Sequence, residues 1–168
     1  MKKLFFILSL FTLSGCAYKF NAASIPAEMK TVSVLYFENN AQLVIPNLSQ
    51  RLTEDLKTLI RDQSRLSLTQ GEADAVFTGK ITNYDIKPVA IVDNARPIAG
   101  ANRLTITVSV KYTVNLEKEK AQSFEQSFSA FTDFSLAGNS LQSQEQELIK
   151  KVNKQLVENI FNRAFAQW

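Results

Sequence analysis

Histidine is absent from this chain of 168 residues, and cysteine occurs once, as Cys16. Zinc sites built on His and Cys, and nucleophilic machinery of the Ser-His or Cys-His kind, therefore lack their parts. Glycine is scarce, at five residues, which leaves little room for a loop that cradles phosphate. No G-x-G-x-x-G, G-x-x-x-x-G-K-[ST] or G-x-S-x-G pattern occurs. The carboxylates, among them Asp55, Asp62, Asp74, Asp85, Asp93 and Asp133, are scattered, and no pair suggests a glycosidase. No basic run points to nucleic acid. No apolar run reaches the roughly 20 residues that a membrane span requires. These absences point away from an enzyme and from any metal or cofactor.

What is present begins with a leader. Lys2 and Lys3 form a basic start, Leu4 to Leu13 an apolar core of secretory length, and Ser14-Gly15 a small-residue step before Cys16. Leu13-Ser14-Gly15-Cys16 has the form of a bacterial lipoprotein signal. It predicts cleavage of residues 1–15, acylation of Cys16 and a tether over 16–30. Each buried CH₂ of an acyl chain contributes about 0.8 kcal/mol, so a multiply acylated cysteine anchors firmly. Position 17 is Ala and not the Asp that resembles an inner-membrane retention signal, and Ala17-Tyr18-Lys19-Phe20 carries no acidic run. By analogy with Gram-negative sorting, the domain is expected on the periplasmic side of the outer membrane. The formal charge of +3 is partly the leader's.

The remainder, 31–168, suits one α+β domain. Thr31 to Phe37 is β-branched and aromatic, a strand buried on both faces. Leu48, Leu52, Leu56, Leu59 and Ile60 form one helical stripe over about 47–62. Pro46 sits where a helix can begin, and Asn47 with Gln50 resembles a capping box. Arg65 to Thr69 alternates like a short edge strand. Ala73 to Ile86 is a second long strand whose apolar parity changes, which predicts a β-bulge near Thr82 to Asn83. Residues 87–102 read as a long loop with Pro88, Pro97 and Gly100. From Leu104 to Val114, apolar residues alternate with Thr, Ser and Lys, the pattern of an antiparallel strand with one wet face. A charged turn at Glu117 to Lys120 leads to a partner strand, Gln122 to Phe134. A last helix runs from about Leu141 to Phe165 with Ser140 as its cap. The βαβββα order predicts a two-layer sandwich, with both helices on one face of a mostly antiparallel sheet of about four strands.

Several segments together carry a family resemblance. They are the lipobox ending at Cys16, Tyr18-Lys19-Phe20 with Ala23-Ser24-Ile25-Pro26, Thr31 to Phe37, Leu48-Ser49-Gln50, Gly79 to Tyr84, Asn102 to Ile106, and Asn159 to Trp168. In order and spacing they resemble the LptE lipoproteins of lipopolysaccharide assembly, in the version found in Bacteroidota. The resemblance implies a plug inside the outer-membrane β-barrel LptD, support of barrel assembly, contact with lipopolysaccharide, and no cofactor beyond the lipid on Cys16. A strand followed by an amphipathic helix also resembles periplasmic lipoproteins that activate peptidoglycan synthases or join secretion complexes. A lipid carrier is a third class, and it would need an apolar cavity.

Candidate contact residues follow from chemistry. The apolar run Val89, Ile91 and Val92 in the 87–102 loop is awkward in water and is expected to meet the barrel partner or to fold back on its own sheet. Lys87, Arg96, Arg103 and Lys111 are candidates for lipopolysaccharide phosphates, set against ordinary surface charge. Phe124, Phe128 and Phe134 share a parity and are expected to pack beneath the helices. Phe131 points the other way.

Overall fold

The computed structural model describes residues 25–91, 98–138 and 140–166. Cys16, the leader, Val92, Arg96 and Trp168 lie outside these described residues. Strands β1 (Thr31–Val34) and β2 (Glu38–Asn39) precede helix α1 (Leu48–Gln63). Then come β3 (Ser67–Thr69), β4 (Ala75–Ile91), β5 (Ile98–Val114), β6 (Phe124–Ser135) and helix α2 (Leu141–Phe165). The sheet order is β3-β1-β4-β5-β6, with β2 also on β4. β1 runs parallel to both β3 and β4, while β4–β5 and β5–β6 are antiparallel. Both helices pack into the same apolar core on one sheet face. The two-layer α+β architecture stands as read, with six strands in place of about four.

The alternation of β5 sets the layers. Leu104, Ile106, Val108, Val110, Tyr112 and Val114 are all buried, and the Thr, Ser and Lys residues between them face away from the helices. Leu48, Leu52, Leu56 and Ile60 of α1 are buried against this face, as are Leu148, Val152, Leu156 and Ile160 of α2. Burial of each large side chain contributes about 1.5–3 kcal/mol before ordering entropy. Aromatic rings fill the middle. Phe77 lies 4.6 Å from Tyr112, and Phe165 lies within 6 Å of both. Phe128 and Phe134 are buried beneath α2, and Phe131 is 47% exposed on the opposite side, in agreement with parity.

Three local expectations change. The strand Thr31 to Phe37 breaks into β1 and β2. Leu35 and Tyr36 turn outward at the break, whereas Phe37 turns in over Gly79. Asn47 does precede α1, but with φ 63° and no side-chain cap, so the capping box does not form. Of the expected loop 87–102, residues 87–91 and 98–102 are strand: β4 continues to Ile91, and β5 already begins at Ile98. Lys87, Pro88 and Val89 pair with Arg103, Asn102 and Ala101. Past Asn39↔Ile81 no described strand flanks the other side of β4, so Pro88, which cannot donate to a ladder, is tolerated there. The bulge lies where parity placed it, between Ile81 and Asn83. Beyond it, Tyr84 Oη donates to Glu145 Oε1 at 2.8 Å and ties the arm to α2.

The chain enters the fold at the β3 edge. Arg65 Nη2 donates to the carbonyls of Ile25 and Pro26. Asp74 Oδ2 accepts from Lys30 N at 2.8 Å, Thr31 N at 2.9 Å and Thr31 Oγ1 at 3.0 Å. These backbone donors hold the Asp74 carboxyl below the usual carboxylate range.

Candidate functional site

The helices cover one sheet face, so the other is the broad surface available for contact. Its rows follow from register. Lys87 neighbours Arg103 and then Asp133; Asp85 neighbours Thr105 and then Phe131; Thr78 neighbours Lys111 and then Glu125. Side chains directly opposite across strands share a face. The middle is hydroxyl-rich: Thr107 Oγ1 and Ser129 Oγ lie 3.2 Å apart, and Thr82 Oγ1 donates to the carbonyl of Thr107.

Two features rise above this neutral ground. At one end Arg103 forms a fork on Asp133, with Nε to Oδ1 at 2.7 Å and Nη2 to Oδ2 at 2.9 Å. The same guanidinium lies 3.8 Å over the Phe131 ring. The hydrogen-bonded partner raises the Arg103 pKa and lowers that of Asp133. At the other end is an open groove of about 350 Å³ lined by Leu35, Tyr36, Lys80, Lys111 and Glu125, with Gly79 in its floor. Tyr36 is 62% exposed here.

The candidate residues do not converge. Lys111 and Arg103 are eight positions apart on β5, about 27 Å at strand rise. Lys87 is exposed beside Arg103 and pairs with Asp85 Oδ2 at 2.6 Å. Val89 is half-buried in the hairpin arm, and Ile91 ends β4. Arg103 is already matched by Asp133. Among the described residues, no group of three or more Cys, Asp or Glu side chains converges for a metal. Leu35, Tyr36 and Lys80 escaped the sequence reading, because TVSVLYF looks like one uninterrupted strand. The partnership of Asp133 with Arg103 escaped it too, since parity gives the face of a residue and register gives its neighbour.

This sheet and its two covering helices can be set against known proteins. A family model described as lipopolysaccharide-assembly, LptE, matches residues 29–164. The chain belongs to the LptE family. The match starts at buried Met29 and ends inside α2, so it takes in every strand and both helices. LptE proteins work in lipopolysaccharide assembly; they are lipoproteins without catalytic activity or cofactor. No curated protein sequence matches this LptE-family chain. A hypothetical protein from Chlamydia trachomatis shares its fold, at 11% identity and a TM-score of 0.53, over 80% of this chain and 98% of that one. A minor lipoprotein from Acinetobacter baumannii is similar at 15% identity and a TM-score of 0.48, over 80% and 91%. No described helix is long and apolar enough to cross a membrane.

Proposed function

We propose that this LptE-family chain is an outer-membrane lipoprotein that plugs an LptD-type β-barrel and supports its assembly for lipopolysaccharide delivery. The observation that carries the reading is the family match across the whole described domain. The leader ending at Cys16 supports cleavage after residue 15, acylation of Cys16, a tether to residue 30 and a periplasm-facing placement. The uncovered sheet face supports a protein partner, because its groove is open and its aromatic residues Tyr36 and Phe131 are partly bare. The β4–β5 arm with Val89, Ile91 and Val92 is the proposed apolar contact to the barrel. Lys87 and Lys111 are the more available cations for lipopolysaccharide phosphates. Arg96 remains a candidate by charge, and Arg103 would have to leave Asp133 to serve.

A mild-detergent pull-down of the tagged mature protein from native envelopes, with mass spectrometry of the eluate, tests the reading. A stoichiometric large outer-membrane barrel is the expected result. A peptidoglycan enzyme in its place, or no partner, would overturn it.

A further inference from the structure

The sheet ends in two unlike edges. β3 is three residues long, and β6 is twelve. β6 pairs with β5 from Phe124 to Ser135 without a register shift. Among the described residues no strand lies on its other side. Natural sheets blunt such edges with lysine, proline, a bulge or a short strand. The β6 sequence, FEQSFSAFTDFS, has no lysine, no proline and no bulge. It offers a long regular row of main-chain donors and acceptors, the template on which an extended segment adds as a further strand. Phe128 and Phe134, buried in the core, fix the strand against slippage.

The side chains narrow the occupant. The only charges on β6 are Glu125 and Asp133, both acidic, both on the face away from the helices and eight residues apart. Phe131 stands between them, half-exposed. Asp133 is locked in a fork by Arg103, whereas exposed Glu125 stands across the strand pair from Lys111 with no such fork, which makes it the stronger electrostatic handle.

We infer that the outer edge of β6 is a strand-addition site for an extended segment of a partner protein. That segment carries Lys or Arg opposite Glu125 and an apolar side chain opposite Phe131. A second copy of this chain fits poorly. Antiparallel pairing of two β6 strands over their full length, centred on Ser129, sets Glu125 against Asp133 twice, and like charges directly opposite destabilise. A strand within a closed barrel wall fits no better, because closure leaves it no free edge. The segment is therefore a loop or a terminal arm. The inference rests on the proposed barrel partnership only for which protein supplies that segment.

The test places a photo-crosslinking benzoyl-phenylalanine at Ser129 in the full-length lipidated protein in native cells, with Lys151 on the outer face of α2 as control. Cross-linked peptides are sequenced, and barrel co-purification is scored separately. The expected result is a cross-link from Ser129, and not from Lys151, to a Lys- or Arg-bearing segment. Its yield should fall at least fivefold in the E125K/S127K variant, whose changes are at exposed positions and spare the core. A cross-link to a second copy or to lipid alone, no cross-link, or an unchanged yield in that variant would overturn the inference. If the barrel co-purifies in any of those cases, the plug reading survives without the edge. If the variant-sensitive cross-link falls on a basic segment of a different protein and no barrel co-purifies, the edge stands and the plug reading falls.

Discussion

Gly79 shows how a single hydrogen atom shapes the surface. A Cβ there would collide with the buried Phe37 ring and reach 2.8 Å from the carbonyl oxygen of Ser109. Phe37 has no room to yield: it is fully buried, and its N–H donates to Thr53 Oγ1 at 3.1 Å. Gly79→Ala is expected to cost about 1–3 kcal/mol, as other overpacking does, and a lowered urea midpoint at unchanged slope would show it. Asp74 gives a second test at this scale. Its folded pKa is lowered, so its contribution is present above pH 3.8 and is lost as pH falls through the folded value. Asp74→Asn should lower stability at pH 7 and converge with the parent in strong acid, as followed by denaturation midpoints across pH. The faces of Phe131 and Lys111 were legible from alternation alone. The collision that makes position 79 a glycine was not, because it joins residues 42 positions apart.

At the scale of elements, periodicity located both helices to within a residue or two and placed the bulge after Ile81. It failed at the β4–β5 arm. Pro88 and the run Val89 to Val92 read as a loop because turn residues flank them. Pairing with the start of β5, Val89 with Ala101 and Ile91 with Ile98, overrides that local signal. The cap of α2 was readable: Ser140 Oγ accepts from Ser143 N at 3.2 Å. Ser140→Ala should cost about 0.5–1 kcal/mol, measurable by thermal denaturation. The α1–α2 contact holds a less comfortable group. Burial raises the Asp55 pKa; the Asn153 side chain and then Arg51 and Lys150 oppose that rise. Neither polar atom of the fully buried Asn153 closes a hydrogen bond of ordinary geometry. The sign is opposite to that of Asp74: what Asp55 adds is present below pH 3.8 and lost as pH rises through its folded value. Asp55→Asn is therefore expected to be more stable than the parent at pH 7 and equal to it near pH 3, by urea unfolding at both.

For the whole molecule, the division of labour is between a dry side and a wet side of one sheet. Helices, most described aromatic rings and most large apolar residues lie on the first, with Tyr36 and Phe131 as exceptions. The second is hydroxyl-rich, with cations near both ends, and it is bordered by the β6 edge. Layering was legible because a helix stripe and an alternating strand each announce the face they bury. The surface features were not, since Tyr36, Arg103 with Asp133, and the β6 edge depend on which strands become neighbours.

The clamp on the entering chain has a consequence for encounter rates. Arg65 and Asp74 fix the point of entry near Ile25, nine residues beyond Cys16. With Cys16 acylated as proposed, that leash spans at most about 30 Å. A membrane-embedded partner within that reach then meets the domain at an effective concentration in the millimolar range. Each individual contact between the two can therefore be weak and still be occupied. Lengthening the leash by a flexible insert after residue 24 would dilute the encounter with no interface residue altered.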